Sequence, residues 1–195
     1  MTTVPTTNDH RQRLLAGLAD TLAHKAYRDI TLADLAASAR VSRRTFYEHF
    51  ANKDACLLAL CEDTSRDMMQ VILHASAPEQ AWPALVRDIT RAYLTAIQAK
   101  PALMKALYIE LASLGETGLA VRRRVAEQFA GFLQQQVERQ RLSGVALQEL
   151  GQPLALAIVT GINELILYAL SDGRGDRLLE LAPTAEALIF SVAGR

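Results

Sequence analysis

Signals for β-strands are absent from this chain. Its β-branched runs are short, and most of its glycines and prolines fall between long segments with apolar residues at helical spacing. Cysteine is scarce as well, with only Cys56 and Cys61. Both fall on one predicted helix, and five positions along it rise roughly 7.5 Å, too far for an intramolecular disulfide. Buried thiols are the plain reading, and a redox sensor would need one of them exposed with a lowered pKa. No glycine-rich phosphate loop occurs. The four histidines, His10, His24, His49 and His74, are scattered, with no nucleophile nearby and no metal-ligand spacing. His49 with Cys56 and Cys61 is not a zinc pattern. No catalytic residue, metal or cofactor is therefore expected. The start, MTTVPTTNDH, lacks the basic end and apolar run of a secretory signal. No window is expected to span a membrane, since the most apolar, Leu154 to Leu170, contains Asn163 and Glu164. A cytoplasmic chain without a membrane partner is the expectation.

Net charge is missing too, with 21 basic against 21 acidic residues. Taken alone this argues against a nucleic-acid partner, but the distribution is more informative. Residues 1–54 hold eight Lys or Arg and six Asp or Glu, a surplus of two positive charges; the remainder holds thirteen and fifteen, a surplus of two negative. The asymmetry is small, so the clustering of Arg40, Arg43 and Arg44 carries the electrostatic argument. What the chain has in quantity is apolar residues, 50% of 195, enough to bury a core in one or two domains.

Hydrophobic periodicity predicts an all-α chain, with helices near 9–25, 32–38, 43–49, 53–75, 79–99, 102–114, 118–142, 152–171 and 184–193, and a helical turn near 176–181. The helix that starts at Lys53 runs on without a flexible linker. Tilting one end of a rigid helix would move its other end.

The segment Thr31 to Lys53, TLADLAASARVSRRTFYEHFANK, is the most informative. Thr31 and Asp34 have the spacing of a capping box, and Leu32, Leu35 and Ala36 follow as a short apolar stripe. Ser42 is a second N-cap only a few residues beyond the end of that helix. Two helices so closely joined form a helix-turn-helix. Phe46 and Phe50, four apart, share the face that buries against the first helix. Arg44 and Glu48 then point the opposite way, flanked by Arg43, Thr45, Tyr47 and His49. The N-terminal residues of such a second helix reach base edges in the major groove, and a guanidinium pairs bidentately with guanine O6 and N7. Asn52 reads as the cap of the next helix, with Lys53 in its first turn beside exposed N–H groups, a phosphate-binding arrangement.

The stretch ARVSRRTFYEHFANKDACL, preceded by YRDITLADLA and by a helix with Leu14, Leu15, Leu18 and Leu22 on one side, resembles the signature of the tetracycline-repressor (TetR) family of bacterial transcriptional regulators. The resemblance covers about a quarter of the chain; the rest matches in length and helical character alone. It implies an N-terminal helix-turn-helix DNA-binding domain, residues 1–52, and a C-terminal helical ligand-binding and dimerisation domain, residues 53–195. It further implies a homodimeric repressor on a palindromic double-stranded DNA operator, released by a small-molecule effector. Carried over by position, Arg43, Arg44 and Thr45 would face bases or nearby phosphates, and Tyr47, His49, Lys53 and Thr31 would hold the backbone.

Two positions depart from the family pattern. Arg40 stands where glycine is usual; a left-handed backbone there costs on the order of 1 kcal/mol, so either the turn differs or Arg40 adds a phosphate contact. Glu48 would repel phosphates unless it accepts from a cytosine amine or pairs with Arg44 four residues away.

The helix over 152–171 is apolar on nearly all sides and must be covered all round. With the stretch 184–193 it is expected to form a four-helix interface between two subunits, the other reading being a fully internal helix. Met69, Trp82, Tyr93, Met104, Tyr108, Phe129 and Asn163, polar or polarisable side chains within apolar helices, are candidates for an effector cavity of mostly hydrophobic character. Each taken singly also reads as core. Arg122-Arg123-Arg124 reads as a solvated helix face or an anion site. The alternative to a repressor is a helical ligand-binding or protein-interaction module without DNA function.

Overall fold

The computed structural model describes residues 7–77 and 79–193, and among them every regular element is helical. The helices are α1 (Thr7–Leu22), α2 (Leu32–Ala39), α3 (Arg43–His49), α4 (Lys53–Ala75), α5 (Trp82–Gln98), α6 (Pro101–Ser113), α7 (Gly115–Leu142), α8 (Gln152–Ser171) and α9 (Ala182–Ala193), with 3-10 turns at Tyr27–Asp29 and Leu178–Leu181. Packing divides the chain into two units, one up to Thr64 joined by Ala102–Val121, the other Ser65–Pro101 joined by the chain from Arg122. The functional boundary expected between residues 52 and 53 is not the line along which packing divides, because α4 contributes to both units.

In the first unit Leu14, Leu15, Leu18 and Leu22 bury one side of α1, and Leu35, Ala36 and Ala39 bury one side of α2. The two helices touch closely at Gly17, where a Cβ would come within 3.0 Å of the Ala39 backbone nitrogen. The helix expected to reach Lys25 ends at Leu22. There the chain turns, with the Lys25 N–H donating to the Thr21 carbonyl at 2.9 Å, and goes on to bury Tyr27. α2 opens on a complete capping box: the Thr31 hydroxyl accepts from the Asp34 N–H at 3.2 Å and Asp34 Oδ2 from the Thr31 N–H at 2.7 Å.

α2 ends at Arg40, whose φ of 52° is the one positive value outside glycine among the described residues. The turn thus keeps the left-handed geometry that glycine would supply, at a cost of about 1–2 kcal/mol. The N–H groups of Arg40 and Val41 close on the Ala37 and Ala36 carbonyls, and the Arg40 carbonyl accepts from Arg13 at 2.6 Å. These bonds satisfy the helix end. Ser42 then caps α3, accepting from the Thr45 N–H at 3.0 Å. Phe46 is fully buried, with its ring 5.9 Å from that of Phe50.

In the second unit the core joins Trp82, Leu85 and Val86 of α5, Ala130 and Val137 of α7, Ala155 and Ile158 of α8, and Ile189 of α9. α5 begins at Trp82 rather than near 79, with Pro83 in its first turn, where a missing N–H costs nothing. α8 corrects one expectation outright: by length and composition it is apolar enough to cross a membrane. Its polar pair is bonded in the fold, Asn163 accepting from the Tyr93 hydroxyl at 2.9 Å and Glu164 from Arg122 at 2.5 Å. Only 28% of the apolar window of α8 is buried, and Leu154 and Tyr168 are exposed, so α8 is not fully internal within one chain.

Phe46 ties α3 to its unit, and Phe46→Ala is expected to lower stability by about 3–5 kcal/mol in urea unfolding followed by circular dichroism. A loss under about 1 kcal/mol would show that α3 is not held by this ring.

Candidate nucleic-acid interface and apolar cavity

With Phe46 buried, the opposite side of α3 faces solvent. Arg43 is exposed, the Arg44 side chain is 90% exposed, and Tyr47 is 57% exposed with its ring edge-on to Phe46 at 5.7 Å. Arg44 Nε donates to Glu48 Oε1 at 3.2 Å, so Glu48 pairs with its helical neighbour four residues back. That pairing engages Nε, while guanine recognition draws on a guanidinium's paired N–H groups. His49 is half-buried, with its ring 6.3 Å from His10.

Three predicted contact residues already serve the fold. The Thr31 hydroxyl donates to Asp34 Oδ2 at 2.8 Å, so a phosphate accepting from it must displace that carboxylate. Thr45 Oγ1 lies 2.9 Å from Ser42 Oγ, inside the cap of α3. Lys53 Nζ donates to the Tyr27 and Ile30 carbonyls at 2.8 and 3.0 Å and sits 4.2 Å from the centre of the Tyr27 ring. Its charge therefore stays at the start of α4, where Asn52 Oδ1 caps the Ala55 N–H at 2.8 Å. The Tyr27 hydroxyl donates to Asp54 Oδ1 at 2.5 Å. Burial, reinforced by Asp54, raises the pKa of that phenol, which stays protonated as a donor. Tyr27 and Asp54 were not singled out from sequence, since a bond spanning 27 residues leaves no local pattern.

Asp34 has its carboxyl held well below the usual carboxylate range, first by the Lys25 ammonium at 2.8 Å and then by the Thr31 N–H and hydroxyl. Cys56 and Cys61 are buried, and burial pushes each thiol up to about 12. Neither is a thiolate near neutrality, so the exposed, acidified thiol that a redox sensor needs is not present at either position.

A cavity of about 80 Å³ opens among α4, α5, α7, α8 and α9 of the second unit. Of the seven residues proposed from sequence for an effector site, Tyr93, Phe129 and Asn163 line it. The Tyr93 and Phe129 rings are 5.5 Å apart. Trp82 packs in the core beside Phe190, with ring centres 6.5 Å apart, and Met69 is half-buried on α4 away from the lining. Met104 and Tyr108 belong to α6, in the other packing unit. The remaining walls include Ile72, Thr90, Leu133 and Ile162. Aliphatic residues at helical spacing look the same in sequence whether they meet a neighbour or a void. Arg122 pairs with Glu164 and Arg123 with Glu127, at 2.5 and 2.8 Å, which favours the ion-paired helix face over an anion site.

The family profile described as bacterial regulatory proteins, tetR family, matches residues 14–60, which take in most of α1, all of α2 and α3, and the start of α4. An uncharacterized HTH-type transcriptional regulator, YxbF of Bacillus subtilis (strain 168), is 31% identical over 71 residues. That match covers 36% of this chain and about a fifth (19%) of the relative. Among solved structures, regulatory protein TetR from Rhodobacter sphaeroides has a TM-score of 0.70 at 24% identity, covering 91% of this chain and 97% of that one. The transcriptional regulator FadR from Bacillus subtilis, in complex with stearoyl-CoA, has a TM-score of 0.77 at 16% identity, covering 92% and 97%. At these identities the structural likeness shows the fold.

The depressed acidity of Asp34 has a signed consequence. Its contribution is present above the unfolded-state value, near pH 4, and is lost as pH falls through the lower folded value. Asp34→Asn should therefore be less stable than the parent at pH 7, and the difference should narrow as urea-unfolding titrations move below about pH 4. A constant difference down to pH 2 would contradict the assignment.

Proposed function

As a member of the tetR family of bacterial regulatory proteins, this chain acts, we propose, as a sequence-specific DNA-binding transcriptional regulator rather than an enzyme. It represses from a palindromic operator until a small, mostly hydrophobic molecule binds. The observation that carries the reading is the exposed basic start of α3, Arg43 and Arg44, on a helix capped by Ser42 and anchored by buried Phe46. Such a helix is suited to the major groove, with its first residues at base edges. Residues 1–52 do the reading, and residues 53–195 bind the effector and a second subunit.

Paired reading heads suit a two-fold operator. The apolar α8, little buried within its own chain, supports dimerisation with α9 as its companion. Control by a small molecule is supported by the cavity and by the FadR fold relative that carries stearoyl-CoA. Ile72 of the cavity wall and Lys53 lie on the same unbroken helix, α4. A ligand that favours one tilt of α4 would thereby act on its N-terminal end.

Anisotropy titrations on the tightest-binding duplex and on a scrambled one test the residue roles. Arg44→Ala should weaken the tight duplex by about 1–3 kcal/mol and relax one base position, with little effect on the scrambled duplex. Equal losses on both would remove Arg44 from base reading. Lys53→Ala should weaken both duplexes alike and reduce the salt slope by about one. An unchanged slope would leave Lys53 with its carbonyl-bonding role alone. DNA retention unaffected by joint replacement of Arg43 and Arg44 with alanine would favour the interaction-module reading.

A further inference from the structure

Arg40 holds a backbone conformation that glycine adopts freely. Its φ of 52° makes it the one residue other than glycine on the positive side among the described residues. What the fold takes from this position is backbone alone. The Arg40 N–H donates to the Ala37 carbonyl at 3.1 Å and its carbonyl accepts from Arg13 at 2.6 Å, bonds that a glycine would supply as well. The side chain is exposed, and among the described residues no hydrogen bond or ion pair holds its guanidinium. A strained residue whose side chain makes no contact within the fold points to use of that side chain elsewhere. Its placement says where. In a helix-turn-helix the first helix crosses the nucleic-acid backbone and the second enters the major groove. Arg40 ends α2 and stands two residues before the Ser42 cap of α3, where the chain steps from one to the other. Three residues of chain span at most about 11 Å, so Arg40 stays close to Arg43. The local charge is uncompensated. Arg44 pairs with Glu48 at 3.2 Å, whereas neither Arg40 nor Arg43 has an acidic partner among the described residues. A guanidinium's planar fork matches two phosphate oxygens.

We propose that Arg40 binds a DNA phosphate at the edge of the major groove that α3 enters, and that this contact is why the turn keeps a strained arginine. The inference rests on the reading of α3 as a DNA-reading helix and adds to it a residue that positions the helix on the duplex. A cation at the C-terminal end of α2 also suits the helix dipole. If that were its role, losing the charge would lower stability and leave the salt dependence of DNA binding unchanged.

The test compares the full-length protein with Arg40→Gly, Arg40→Asn and Arg40→Lys. Each is followed in urea unfolding and in anisotropy titrations on the tightest-binding and scrambled duplexes, between about 50 and 200 mM salt. Glycine and asparagine accept the left-handed backbone without the charge, and lysine keeps the charge. Arg40→Gly should unfold at the same or a higher urea concentration than the parent. It should nevertheless bind both duplexes roughly eightfold more weakly per bound chain at about 0.1 M salt, the factor that one released counterion carries relative to 1 M. Its salt slope should fall by about one per bound chain. Arg40→Asn should follow it, and Arg40→Lys should keep the slope. An unchanged slope in both uncharged variants would overturn the proposal, and a lower urea midpoint alongside it would assign Arg40 to the dipole of α2. Joint replacement of Arg43 and Arg44 with alanine, on the same duplexes, separates the two readings. If that double variant loses the tight duplex while Arg40→Gly keeps its slope, α3 still reads DNA and Arg40 takes no part. If the double variant binds as the parent does, the reading role of α3 falls and the Arg40 contact falls with it.

Discussion

Burial of Phe46 is the constraint on which the exposed basic face of α3 depends. Its ring is fully enclosed in the first packing unit, and on a helix of seven residues one fixed side chain sets the roll of all the others. Arg43, Arg44 and Tyr47 are exposed because Phe46 is not. The Ser42 cap at one end and the Phe50 N–H bond to the Phe46 carbonyl at the other, 2.9 Å long, define where that short helix starts and stops. Seven residues are too few to hold a helix in water by propensity alone, so the basic surface is a consequence of packing beneath it.

The turn leading into α3 illustrates how a local departure is tolerated. Arg40 adopts the left-handed conformation that usually falls to glycine, and its carbonyl is held by Arg13 of α1, 27 positions earlier. Backbone bonds to Ala36 and Ala37 complete the helix end. That a tight turn joins the two helices is legible from their short spacing, whereas the left-handed backbone kept at Arg40 and the contact that fastens it are not. The same division recurs at Lys53. Its place in the first turn of α4 follows from the Asn52 cap, but its bonds to the Tyr27 and Ile30 carbonyls join segments that no periodicity relates.

Most helices could be read from sequence because caps and apolar stripes are short-range signals, and the structure moves their ends by only a few residues. The cavity was less legible. Tyr93, Phe129 and Asn163 stand out as polar or aromatic residues among aliphatic ones, and they meet at one cavity. Met104 and Trp82 carry the same signal and are core, because a side chain's chemistry does not say whether its neighbour is another side chain or a void. α8 is the converse case. Asn163 and Glu164 suggest a helix too polar for a bilayer, but by length and composition it remains apolar enough to cross one, and the fold gives each of the two a partner.

Zero net charge is compatible with a nucleic-acid partner only if recognition rests on placement rather than on an overall field. The most direct measurement is selection of duplexes from a random pool by the full-length protein without added ligand, followed by mobility shifts at two salt concentrations. The account predicts enrichment of a palindrome whose binding weakens with salt. A folded protein that enriches no sequence would contradict it.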